Sequence, residues 1–291
     1  MRRPPCREYL ARINLAWERT PRHGLERRGG SVNIVKDGQE IRTVDQWFAL
    51  APPKGGRDQW VEGRSALECA RAWCATQGPV VPAELLTLLA SHPDTKGAVI
   101  RSITPEQRVR FDALRGEPRN SDVVALADHP AGLLAVSIEA KADEPFDLPV
   151  QEVLAHLVRT IASDERTNGV ARIQQLARSL LPAPTPTTSS LGTLRYQLLT
   201  ALAGAVAFAI ENQASRAILV VHEFVTEQTD HEKHRGNTRD LNAFVTRLTA
   251  GAIRSIDPGA LVGPIKIPGR PLFEHAPVVY IGKAVRTIHR A

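Results

Sequence analysis

The run Leu133-Leu-Ala-Val-Ser-Ile-Glu-Ala-Lys-Ala-Asp143 constrains the fold more than any other segment of this chain. Leu133, Leu134, Ala135, Val136 and Ile138 are apolar, interrupted only by Ser137, so the segment reads as a strand threading a core. Its end is charged. Glu139 and Lys141 stand two residues apart and share one face of a strand. Charges at the end of a buried strand are costly unless they are paired, reach a solvated cleft or hold a metal. Upstream, Ser121-Asp122-Val-Val-Ala-Leu126 opens a second apolar strand on an acid. The intervening Ala127-Asp-His-Pro-Ala-Gly132 carries the His-Pro and Gly of a hairpin turn. Folded as a hairpin, the two strands place Asp122 near Glu139 and Lys141, which is a divalent-metal site with a lysine attached.

This arrangement resembles the active site of the PD-(D/E)XK nuclease superfamily, the restriction-endonuclease-like fold. Its motif is an acid on one strand, a hairpin, then Glu-x-Lys on the next; here that reads Asp122, then Glu139-Ala140-Lys141. The proline of the motif is absent, and Asn120 and Ser121 precede the acid. The resemblance spans roughly residues 65–225. It implies an α/β protein with an α-β-β-β-α-β core, a mixed central sheet flanked by helices, a helical insertion and additions at both ends. It also implies that Asp122, Glu139 and the carbonyl of Ala140 hold Mg²⁺ or Mn²⁺, while Lys141 orients a water or stabilises the transition state. Glu68, an acid on the helix before the sheet, is implied as a further catalytic and metal-binding candidate. Gln197 and Tyr196 are implied as residues that brace the lysine or contact substrate, with Arg195 a candidate for phosphate.

Plainer readings stand beside these. Glu139 and Lys141 could form a strand-end ion pair, Glu68 a capping-box partner for Ser65, and Tyr196 and Gln197 ordinary helix-surface polarity. One point of composition favours a special role for Lys141. The chain holds 7 Lys against 30 Arg, so a lysine at the motif position departs from the cation this chain ordinarily uses.

Charge is less informative than the net +6 suggests. Residues 1–30 hold eight Arg and three Glu, which is +5 of the total. This basic arm, ending at Arg27-Arg28-Gly29-Gly30, reads as a disordered leader that is able to contact a phosphate backbone. Residues 31–291 are expected to form one domain. The longest apolar stretch, Leu198 to Ile210, is too short to span a bilayer. The N-terminus has no apolar signal region, and Cys6, Cys69 and Cys74 form no metal-type repeat. A cytoplasmic protein with reduced thiols is the expectation.

The remaining chain supplies helices over 65–74, 82–91, 149–163, 170–181 and 238–248, and a long apolar helix over 194–212. It supplies strands over 108–114, 216–225 and 278–285, an Asp37-Gly38 hairpin, and a Pro-rich connector over 181–190. A competing constellation is His222, His231 and His234 with Glu223 and Glu232, which could bind zinc, although Asp230-His-Glu-Lys-His-Arg235 reads more simply as a solvated loop. No phosphate loop, nucleophile elbow or dinucleotide fingerprint is present. Three functions remain. The first is Mg²⁺-dependent hydrolysis of nucleic acid, with DNA the expected polymer, in a bacterial restriction, repair or defence setting where a homodimer is compatible. The second is a silent relative that binds nucleic acid or a protein partner. The third is a zinc-binding protein.

Overall fold

The computed structural model describes residues 32–289; the basic arm expected over 1–30 lies outside them. The Asp-Gly hairpin forms first. Strands β1 (Ile34–Lys36) and β2 (Gln39–Ile41) pair antiparallel, with Asp37 and Gly38 at φ 48° and 80°, the left-handed pair that a two-residue turn requires. Helix α1 (Val44–Leu50) follows, capped by the Thr43 side chain, which accepts from the Gln46 N–H. Then come α2 (Ser65–Trp73), a two-residue hairpin of β3 (Cys74–Ala75) and β4 (Gly78–Pro79), and α3 (Ala83–Ala90).

The next three strands form an antiparallel meander: β5 (Val99–Val109), β6 (Arg119–Asp128) and β7 (Leu134–Lys141). The first corrects the expectation of a strand over 108–114. Pro105 and the run of polar residues hide β5 from a reading by alternation, and only its last two residues fall in the expected window. Helices α4 (Val150–Ala162), α5 (Gly169–Leu180) and α6 (Tyr196–Glu211) follow, then β8 (Arg216–Val225), α7 (His231–Leu248), β9 (Leu261–Ile265) and β10 (Val278–Thr287). Helix α7 begins seven residues before the expected start at Thr238. Asp230 accepts from the N–H groups of Glu232 and Lys233, so the charged run read as a loop is its first turn. Strand β9 went unforeseen, since Gly263 and Pro264 interrupt it.

Eight strands make one mixed sheet in the order β2-β1-β5-β6-β7-β8-β10-β9. Strand β8 runs parallel to both β7 and β10, and its apolar run from Ala217 to Val221 is what a strand buried on both faces requires. One face packs against α5, α6 and α7 through Leu176, Leu202, Val206, Phe244 and Val245. The other packs against α1, α2 and α3 through Trp47, Trp73, Leu85 and Leu88. The protein is therefore a mixed α/β fold with a large central sheet flanked by helices, and α6, buried over most of its length, lies against the face that carries Glu139 and Lys141.

Candidate functional site

The site lies where the sheet stops pairing with itself. Strands β6 and β7 are in register from Ala127↔Leu134 to Val123↔Ile138. Beyond that pair the ladder ends, and the N–H of Ala140 donates to Oδ2 of Asp122 at 2.7 Å. A carboxylate thus takes the place of a backbone acceptor at the mouth of the hairpin. On the other side of β6, the pairs Pro105↔Val123 and Gln107↔Ser121 put Glu106 opposite Asp122. Glu106 has φ 48°, a left-handed conformation that a non-glycine residue adopts at some cost.

These side chains face a cleft of about 520 Å³ whose wall includes Glu106, Arg119, Asp122, Glu139, Lys141 and Gln197. Glu139 is only 3 % exposed and Lys141 6 %. Burial at that level demands partners, and Glu139 has three. Arg119 forms an ion pair with Oε2, Gln197 donates to Oε1, and Nζ of Lys141 lies 3.3 Å from the same oxygen. Lys141 also sits 5.3 Å from the centre of the Phe146 ring.

The acids hold their protons unusually well. Burial, followed by the charges of Glu139 and Glu106, raises the Asp122 pKa to about 8 against the pull of Lys141 and Arg119. Burial first, with Glu139 adding to it, raises Glu106 to about 7 although Asn120 donates to its carboxylate. Burial is thus the main reason these carboxyls keep their protons, and the neighbouring carboxylates add to it. Among the described residues no three His, Cys, Asp or Glu side chains converge into a ready-made metal cage. Asp122 and Glu139 are two carboxylates of the cleft that could serve a hydrated hard cation, since such an ion keeps several waters and takes one or two carboxylates.

The structure brings Asp122, Glu139, Ala140, Lys141 and Gln197 to one cleft and leaves other expected residues outside it. Glu68 is absent from the cleft wall. Its Oε1 accepts from the Gly63 N–H at 2.8 Å and meets Arg71 at 3.0 Å. The capping box with Ser65 does not form: Ser65 is the first helical residue, and both its N–H and its hydroxyl donate to Glu144. A carboxylate from the loop after β7 has taken the capping role that the local pattern assigned to Glu68. Gln197 braces Glu139 rather than the lysine. Tyr196 lines a neighbouring cleft, and Arg195 is occupied by Asp240 at 2.8 Å and the Asp147 carbonyl at 2.9 Å.

The zinc constellation is overturned by sheet parity. His222 and Glu223 are successive strand residues and point to opposite faces. His222 meets Glu84 of α3 at 2.7 Å, whereas Glu223 meets His234 of α7 at 2.8 Å and Lys283 at 3.1 Å. The sheet separates the histidines, His231 is exposed, and Glu232 pairs with Arg235 and Arg239.

Glu106 and Arg119 are among the cleft residues that escaped the sequence reading. Glu106 lies on the strand that Pro105 concealed. Arg119 is one of 30 arginines, and only its position one strand from Glu139 marks it out. Among the described residues no helix is long and apolar enough to cross a membrane. No curated protein and no solved structure matches the chain. A family model described as a domain of unknown function, DUF6946, matches residues 40–275, the greater part of the chain and all of the cleft acids, and the chain belongs to that family.

Proposed function

We propose that the protein is a metal-dependent phosphodiesterase acting on nucleic acid, with a restriction-endonuclease-like core formed by α2, β5, β6, β7, α6 and β8. The observation that carries this reading is the gathering of Asp122, Glu139 and Lys141 in one cleft at the unpaired end of a hairpin. The antiparallel β5-β6-β7 meander with β8 parallel to β7, a mixed sheet between α2 and α6, supports this reading.

Asp122 and Glu139, with the Ala140 carbonyl, are the residues that would hold Mg²⁺ or Mn²⁺. Bound there, the ion supplies Lewis-acid stabilisation of phosphate charge and lowers the pKa of a water. Lys141 contributes a compact ammonium held by Glu139 and Phe146, preorganised to donate to the attacking water or to a phosphoryl oxygen as charge develops. Gln197 fixes the Glu139 carboxylate and so fixes the lysine. Arg119, already in the cleft, is the second cation available to the phosphate.

One observation favours a second reading, nucleic-acid binding without hydrolysis. Arg119 pairs with Glu139 and is an internal cation at the place where a metal would act. A single experiment separates the two. Full-length protein is incubated with plasmid and single-stranded DNA in Mg²⁺, Mn²⁺ or EDTA, alongside Asp122→Asn and Lys141→Ala purified in parallel. Hydrolysis that needs the divalent ion and is lost in both variants supports the nuclease. Binding with no metal-dependent cleavage supports the silent reading, and cleavage equal in wild type and variants refutes the assigned site.

A further inference from the structure

A second cleft opens off the first. It encloses about 270 Å³ and shares Lys54, Arg119 and Asn120 with the acid cleft, so a chain lying in one continues into the other. The balance of charge shifts across that boundary. The first cleft collects Glu106, Asp122 and Glu139, whereas the second is walled by Arg110, Phe111, Arg172 and Tyr196, with Asp112 and Glu117 as its acids.

Cationic charge on that wall is only partly neutralised. Arg110 donates to the carbonyls of Leu114 at 3.0 Å and Gly116 at 2.9 Å, which orient the guanidinium and leave its charge uncompensated. Lys54 pairs with Glu117, but both ends are more than 70 % exposed, and such a pair yields readily to a phosphate. Arg172 is held in place by Asp112 at 2.6 Å. Arg119 forms the wall common to both clefts. Its head reaches Glu139, and among the described residues its buried Nε finds no hydrogen-bond partner. The fold makes room for it. A Cβ on Gly204, in the middle of α6, would lie 3.0 Å from Cγ of Arg119. Glycine is disfavoured inside a helix, so the helix gives up stability where this one side chain passes beneath it.

Two aromatic side chains, each half-buried against the core, line this cleft beside the cations; aromatic rings beside cations, in a cleft too small for a duplex, are the chemistry that binds unpaired nucleotides. We infer that the second cleft seats an unpaired nucleotide next to the phosphate held in the acid cleft, and that the substrate is a single-stranded polynucleotide or an unpaired end. Phe111 and Tyr196 stack on the base, Lys54 and Arg110 hold its flanking phosphates, and Arg119 spans to the phosphate at the acids. Which phosphate is cut rests on the nuclease reading; the binding preference does not.

Binding is measured by fluorescence anisotropy on the full-length protein, in EDTA and in Ca²⁺, with a labelled oligothymidylate, the matching oligouridylate and a blunt duplex. Either single strand is expected to bind more tightly than the duplex, and the comparison of the two identifies the sugar. Phe111→Leu and Tyr196→Leu remove a ring while keeping apolar bulk, and each is expected to weaken single-strand binding by about tenfold with no change for the duplex. Arg110→Ala, at the exposed rim, serves as a third variant should either leucine variant melt early, and is expected to weaken single-strand binding and flatten its salt dependence. Equal or tighter binding of the duplex, or folded variants that all bind single strands as wild type does, overturns the inference. Cleavage is scored separately in Mg²⁺. Single-strand preference without cleavage sinks the nuclease reading and keeps this one, and cleavage of duplex without single-strand preference does the reverse.

Discussion

Replacing Asp122 with Asn tests the electrostatics of the cleft directly. The wild-type carboxyl keeps its proton up to a pH of about 8, against an ordinary value of 3.8. At about 1.4 kcal/mol per tenfold change in proton affinity, ionising it in the folded state works against the fold by ~6 kcal/mol at most. The sign follows from the direction of the shift. A carboxyl whose folded pKa is raised binds its proton more tightly when folded, so its contribution declines as pH rises above about 4 and is fully lost above about 8. Asn cannot ionise, and its side-chain oxygen still accepts from the Ala140 N–H. The acid retains partial contact with cleft solvent, and Glu106 shares the repulsion, so a gain on the order of 3 kcal/mol is expected for Asp122→Asn at pH 9. For a domain of this size that corresponds to roughly 6–10 °C in Tm. At pH 5, little more than one unit above the ordinary value, the gap should shrink to about a third of that, and it should close below pH 4. Thermal and urea melts in EDTA at pH 5, 7 and 9 measure it, and added Mg²⁺ should narrow the gap at pH 9 by stabilising the wild type alone. A wild type as stable as Asp122→Asn at pH 9 would refute the picture of buried, under-compensated acids.

Other outcomes follow from the same geometry. Lys141→Ala is expected to abolish cleavage while leaving Mg²⁺ affinity, followed by calorimetry, nearly unchanged; a full cleavage rate in that variant removes the lysine from the mechanism. Gly204→Ala should gain helix propensity of ~1 kcal/mol but force Arg119 aside, so activity should fall more than the melting temperature does. At Glu84, burial acts to raise the pKa, but hydrogen bonds from His222 and Arg286 outweigh it and hold the carboxyl at about 2. Its stabilising effect is therefore complete above the ordinary value of 4.5 and disappears as pH falls towards 2, so Glu84→Gln should lose ~1–2 kcal/mol of stability at pH 7 in urea melts and show a flatter acid limb. Deleting residues 1–30 should lower non-specific DNA affinity, and the slope of log affinity against log salt should shrink by about 0.9 for each phosphate that the arm neutralises; an unchanged slope assigns phosphate binding to the domain.

The parts of this site written in strand parity were legible from the sequence. Glu139 and Lys141 alternate with Ile138 and Ala140, and an apolar run before them fixes which face is core, so their shared orientation needs no tertiary knowledge. Asp122 was legible for the same reason one strand earlier. Glu106 was not, because Pro105 breaks the strand signal and a left-handed backbone at Glu106 itself is invisible in the letters. Glu68 shows the opposite failure. Ser-x-x-Glu is a real local signal, but Glu144, distant in sequence, reaches Ser65 first. The histidines failed for want of one fact, that β8 is central to the sheet and sends His222 and Glu223 into different layers. Arg119 and the cleft beyond it depend on how α6 crosses the sheet, which no local pattern encodes.

The hydrogen bond from Ala140 to Asp122 gives the molecule a reporter of its own. In most of the sheet an amide proton answers to a neighbouring peptide and is blind to chemistry in a cleft. The Ala140 amide answers to a carboxyl instead, and its resonance will move as that carboxyl gains or loses charge. A single ¹⁵N-labelled alanine signal, followed through a titration with acid, Mg²⁺ or oligonucleotide, reads the state of the site without any assay of turnover. It does so equally in a hydrolase and in a protein that only binds.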